Sequence, residues 1–221
     1  MIDELAPGVS RVSRRDPSGW SVDMIVARLD DGALVFSPTW VGDATAQVVE
    51  RLGAPRVLVS PNHFHHLSLP RYRARWPEAT AIASDGARPR LLAKGHQGVR
   101  ALDEVSLPGH VRLLPARGTK TGETWLAVDD TLVVCDSFFH IAEPVSGVMG
   151  VALRALRTAP GLQLGRTFEW LAVADRATYR AWALETLARE RPKVIAFSHG
   201  APLRDADGWK RCSELVERHL G

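Results

Sequence analysis

The chain holds 221 residues, 45% hydrophobic and 24% charged, which gives it material for one sizeable core over residues 1–221 and excludes disordered and fibrous classes. Its 28 basic and 25 acidic residues leave a net charge of +3, too small an excess for a nucleic-acid stripe; the arginine runs at 71–76 and 86–100 carry only a thin aromatic platform and read as solvated faces or an anion-attracting rim. Cys135 and Cys212 are isolated thiols suited to a reducing compartment, and neither an apolar run of about 18 residues nor a leader pattern occurs, so the expected setting is the cytoplasm without a membrane span.

Residues 9–12 (VSRV) and 20–38 (WSVDMIVARLDDGALVFSP) predict strands, with Asp30-Asp31-Gly32 as a hairpin turn. Asp43 stands where it can cap a helix whose Ala46, Val49 and Leu52 share a face, and Gly53 with Pro55 stops that helix. RVLVS (56–60) is apolar without alternation, the pattern of a strand buried on both faces. YRARWPEA (72–79) reads as a short helix closed before Pro77, and TAIAS (80–84) as a strand. Together they form a β-α-β unit around His63, His65 and His66, three of the chain's eight histidines.

Strands return at 111–116, 124–128 and 131–136, the last two joined at Asp129-Asp130. A loop-rich stretch through 143–150 follows, then a helix over about 176–190 with Tyr179, Trp182, Leu184 and Leu187 on an apolar side. KVIAFSHG (193–200) is a final buried strand, and WKRCSELVERHL (209–220) a closing helix.

Loops at the C-terminal ends of strands are free to vary while the sheet holds them rigidly, so ligands gather there. Three strand ends carry such groups: RVLVS leads into His63, His65 and His66, TLVVC into Asp136, and KVIAFS into His199. Neutral imidazole with carboxylate is the ligand set of zinc and related metals, of which a water-accessible site needs three or four. Neighbouring His65 and His66 would face apart on a regular strand but can converge in a loop.

These residues resemble the metallo-β-lactamase fold superfamily, whose first motif is a strand ending in Thr-His-x-His-x-Asp-His. Ser60 then matches the Thr, Pro61 the first His, His63 the second, His65 the Asp and His66 the last His. A rival register sets His63 and His65 on the first two histidines and leaves Leu67 and Ser68 at the remaining ligand positions. GTKTGETWLAV (118–128) is similar to the Gly-His-Thr-x-Gly segment with Thr119 for its His, TLVVCDSFF (131–139) to the strand ending in a bridging Asp, and VIAFSHGAP (194–202) to the last motif. The Pro-Asn-x-x-His-His run at 61–66 resembles an uncharacterised branch of that superfamily.

The resemblance implies an α/β, four-layer αββα sandwich. It also implies that the first metal site is dismantled at Pro61 and Thr119, while a second, of His65, His66, Asp136 and His199, is retained, with His63 beside it as a residual metal ligand, a donor to the ligands or a proton carrier. One zinc or similar divalent transition metal is therefore expected. The activity implied is hydrolysis of a small ester, thioester, lactone or amide, with Asp136 and His63 at the reacting centre, His63 carrying protons, and Arg117 or Lys120 orienting an anionic substrate. The alternative is a catalytically silent relic kept as a binding module. The lost metal pair disfavours nuclease chemistry, and oligomeric state stays open.

Plainer roles exist for each residue. Asp136 could cap a turn at Ser137, His140 could merely pack, and Gly118 and Gly122 read as turn glycines. Trp20, Trp40, Trp125, Trp170 and Trp182 read as core, Trp40 also as a wall of the site, and Cys135 as buried and inert.

Overall fold

A computed structural model describes residues 2–15, 21–40, 42, 44–143 and 145–221; Trp20 and the expected helix cap Asp43 lie outside these. The first half is a sheet with helices on one face: β1 (Ile2–Ala6), β2 (Val9–Arg15), β3 (Ser21–Leu29), β4 (Gly32–Phe36), α1 (Ala44–Leu52), β5 (Pro55–Val59), α2 (Leu69–Arg75), β6 (Thr80–Ile82) and α3 (Arg88–Ala93). The six strands lie in chain order, antiparallel as far as β4 and parallel from β4 to β6. The second half adds β7 (Val111–Pro115), β8 (Thr124–Val128), β9 (Thr131–Val134), β10 (Phe138–Ile141), α4 (Gly147–Ala155), β11 (Gly161–Leu164), α5 (Arg166–Leu171), α6 (Arg176–Glu190), β12 (Val194–Phe197) and α7 (Gly208–Leu220). Its main sheet has the order β12-β9-β8-β7, with β12 parallel to β9, and β10 pairs with β11 in a two-stranded ribbon.

Side-chain alternation along the strands explains the four layers. On β3 and β4, Ile25, Ala27, Leu34 and Phe36 point inward to meet Leu126, Val128 and Val133 of the second sheet. Their neighbours Met24, Val26, Ala33 and Val35 point outward onto Val49, Leu69, Tyr72 and Leu91 of α1, α2 and α3. On the far side Trp125, Ala127, Leu132 and Phe197 turn outward onto Tyr179 and Leu187 of α6 and Val216 of α7. Strands buried on both faces need apolar residues at every position, which is why RVLVS showed no alternation. The αββα sandwich expected from the sequence is the observed architecture.

Several expectations change. Strand β1 was not anticipated, and of the stretch 143–150 expected to be loop-rich, residues 147–150 open α4, which β11 and α5 follow. Trp170 is 62% exposed, whereas Trp125 is fully buried and Trp182 packs against the same core. Trp40 packs edge-on against Tyr72, with ring centroids 5.5 Å apart, on the helical face of the first sheet. Among the described residues no helix is long and apolar enough to cross a membrane.

Candidate metal centre

Three strand ends meet where the two sheets adjoin. The chain leaves β5 through buried Ser60, Pro61, Asn62 and His63 to reach His65; it leaves β9 through Cys135 to Asp136, and β12 through Ser198 to His199. His65 Nε2 lies 3.1 Å and His199 Nε2 3.3 Å from the same oxygen, Asp136 Oδ1. The three groups offer ligand atoms all within 4.8 Å of one another.

Each ring is oriented from behind. Ser37 Oγ, just past β4, sits 2.7 Å from His65 Nδ1, and His199 Nδ1 donates to Ser21 O at 2.9 Å. A carbonyl can only accept, so in neutral His199 the proton resides on Nδ1 and Nε2 presents a lone pair to the carboxylate. Two lone pairs 3.3 Å apart are held favourably only by a proton or a cation between them. This donor set, two imidazole nitrogens with their opposite nitrogens anchored and one carboxylate, fits a zinc-type ion. Burial opposes the Asp136 charge, but with protons on their Nε2 atoms the His65 and His199 rings overcome it and hold the carboxyl well below the usual carboxylate range.

Asn62, which is fully buried, builds the loop. Its Oδ1 accepts from the N–H groups of Phe64 (2.8 Å) and His65 (3.2 Å), and its Nδ2 donates to Asp136 Oδ2 at 2.7 Å. One amide therefore winds the histidine loop and fixes the carboxylate. Glu123, also fully buried, accepts from Trp125 Nε1 at 3.1 Å and from the N–H groups of Asp136 and Ser137 at 3.2 and 3.1 Å. Burial first, and then the Asp136 charge, push its carboxyl up. Cys135 is fully buried and its thiol is raised well above the usual range by that burial, which makes it inert as expected.

The other two histidines of the loop face elsewhere. Both were expected as candidate metal ligands, yet His66 Nδ1 lies 2.7 Å from His96 Nε2 and its Nε2 2.9 Å from Lys94 Nζ. Burial, then Lys94 and the neighbouring imidazoles, push His66 down to about 4. His63 is 2% exposed and accepts at Nε2 from Arg90 Nη1, 3.1 Å away; its Nδ1 has no hydrogen-bond partner among the described residues. Burial and then Arg90 hold it below the ordinary imidazole value, which weakens it as a proton acceptor. The basic run at 86–100, read as a solvated face, thus supplies α3 and the cations that draw His63 and His66 away from Asp136.

Arg117 is exposed, and Lys120 donates to Trp170 O at 3.0 Å. His140 packs, with Nδ1 2.8 Å from Ala201 O. Gly122 adopts φ +69°, and a Cβ there would lie 2.1 Å from Ala87 N, so packing requires this turn glycine. Beside Asp136 and His199 lies a cavity of about 350 Å³, bordered by Phe64, Phe139, Leu156, Phe168 and Leu171; Arg117 and Lys120 do not line it.

Sequence reasoning missed the partners of the histidines. Asn62 had a legible signal, since an Asn two and three positions before the residues whose N–H groups it caps is an Asx-type turn. Ser21, Ser37 and Glu123 had none, because they lie 178, 28 and 13 residues from the groups they touch.

These features define the metallo-β-lactamase fold, and solved structures bear this out over nearly the whole chain. The DIM-1 metallo-β-lactamase superposes with a TM-score of 0.66 at 12% identity, over 99% of this chain and 97% of that one. The metallo-β-lactamase FIM-1 from Pseudomonas aeruginosa, in its mono-zinc form, gives 0.63 at 13% identity over 100% and 96%. Rubredoxin oxygen:oxidoreductase from Desulfovibrio gigas gives 0.66 at 15% identity, over 100% of this chain and 61% of that one. No family model and no curated protein matches the sequence.

Proposed function

We propose that the protein is a single-metal hydrolase of a small ester, thioester, lactone or amide. The observation that carries this reading is the convergence of His65 Nε2, His199 Nε2 and Asp136 Oδ1 within 4.8 Å. Structural zinc sites close all four positions with protein ligands, whereas catalytic sites use three and leave one open. With His66 held by Lys94 and His96, three candidate ligands remain, a count that supports an open site. Pro61 and Thr119 stand where the family's first site has histidines, which supports one ion per chain. The mono-zinc form of FIM-1 shows that a protein of this fold can hold a single zinc.

When bound, the ion supplies Lewis acidity toward a carbonyl oxygen and toward water. The chain's own residues fix the geometry. Ser37 and Ser21 hold the two rings, Asn62 aims the Asp136 carboxylate, and Phe64 with Phe139 borders the approach to it. In hydrolysis the water oxygen bonds to the carbonyl carbon as the acyl bond to the leaving atom breaks, and its protons finish on the two products.

Elemental analysis of protein purified without an affinity tag tests the site, with one transition metal per chain expected and two refuting the single-ion reading. Chelation should abolish turnover of an activated ester or lactone, and zinc should restore it. If metal-loaded protein turns over no ester, thioester, lactone or amide, the binding-module reading replaces the enzyme.

A further inference from the structure

We propose that the cavity beside Asp136 and His199 selects the substrate: a neutral molecule whose reacting carbonyl carries a hydrocarbon arm of about ten non-hydrogen atoms. This rests on the hydrolase reading. Asp136 and His199 are the only ionisable side chains bordering the cavity among the described residues; Phe139, Leu153, Leu156, Phe168 and Leu171 form most of the rest. A charged arm would lose its water there and find no partner, while a hydrocarbon arm exchanges water for apolar wall. The wall reaches the ligands themselves, because Phe139 stacks on His199 with centroids 5.5 Å apart and planes 17° apart.

The rim supports the same occupant. Phe64 and Leu171 border the cavity while 46% and 58% exposed, so its edge presents apolar side chains to solvent. Apolar side chains gathered at an opening mark a surface that an apolar ligand covers. The size sets the arm: at ~30 Å³ per water, about 350 Å³ equals roughly a dozen waters, which accommodates a medium-length alkyl chain or a substituted aryl ring. The polar end is fixed by the site, since the arm must enter with its carbonyl toward Asp136 and His199.

Straight-chain 2-alkanones of four to twelve carbons are neutral, carry a carbonyl and cannot be hydrolysed, so calorimetric titration of the full chain with them reads the cavity without turnover. Affinity is expected to rise about fourfold per methylene, the equivalent of ~0.8 kcal/mol per buried CH₂, until the chain outgrows the cavity. Leu171→Lys alters an exposed position and Leu156→Trp fills part of the cavity; each should weaken the longest bound ketone at least tenfold and leave the shortest unchanged. Affinity independent of chain length, or unaffected by both substitutions, would overturn the proposal. Chain-length dependence without hydrolysis of any ester, thioester, lactone or amide would refute the hydrolase reading alone, and turnover indifferent to acyl length would refute this inference alone.

Discussion

His65 and His66 are neighbours in the chain but serve opposite sides of the loop, one meeting Asp136 and the other Lys94 and His96. Asn62 causes the division by capping the N–H groups of Phe64 and His65 in a turn from which successive side chains splay. The sequence showed that histidines crowd a strand end; which of them faces the carboxylate depended on cations 28 and 27 residues further along, at Lys94 and Arg90. His66→Ala should therefore retain the metal and His65→Ala lose it, a contrast that elemental analysis after dialysis reads directly; equal retention would undo the ligand assignment. Asn62→Ala leaves the Phe64 and His65 N–H groups uncapped and Asp136 Oδ2 without its amide donor. A loss of about 2 kcal/mol in denaturant unfolding is expected, along with metal affinity weaker by roughly 10–100-fold.

The final strand illustrates what an element contributes. Val194–Phe197 was legible as a buried strand from its apolar run, but its parallel pairing with β9, which brings His199 near Asp136, was not. Parallel register depends on a partner some sixty residues away, beyond the reach of local periodicity; the family resemblance supplied only the expectation that His199 and Asp136 share a site. Just after the strand, Gly200 adopts φ +110°, and a Cβ there would stand 2.2 Å from His140 O. Gly200→Ala must therefore push the two backbones apart and displace His199, at an expected cost above 2 kcal/mol and with weakened metal binding. Gly161 shares a positive φ of +73° with nothing within 4 Å, so Gly161→Ala carries only the conformational cost of about 1 kcal/mol. Denaturant midpoints of the two variants separate crowding from backbone strain, and equal losses would show that the crowding has no effect.

At the scale of the molecule, the four layers were legible because each strand's pattern reports which faces are buried. The clamps between helices were not. Arg157, just after α4, hydrogen-bonds His219 Nδ1 on α7 and Glu169 on α5, while Arg176 of α6 lies 3.6 Å from the same Glu169 carboxylate. This cluster ties α4 and α5, which help wall the cavity, to the two long helices. Arg157 can only donate, so the contact requires neutral His219, whose pKa burial and then Arg157 lower from 6.5. His96 is lowered likewise, by burial and then by Arg73 and Lys94.

Below 6.5 the unfolded chain takes up protons at these rings that the folded chain refuses. Their contribution to stability is therefore complete above 6.5 and is lost as pH falls through the lowered values. Glu123, raised by burial, acts with the opposite sign over part of the same range, because there the folded state holds the extra proton. The whole protein's acid curve is consequently a difference, and a variant isolates the histidine part. His219→Gln, melted in chelator so that metal release does not contribute, should lose less melting temperature between pH 7 and 5 than the parent does, at about 2–4 °C per kcal/mol. Parallel curves for the two proteins would show that the Arg157–His219 contact places no pH-dependent tie on the helices around the cavity.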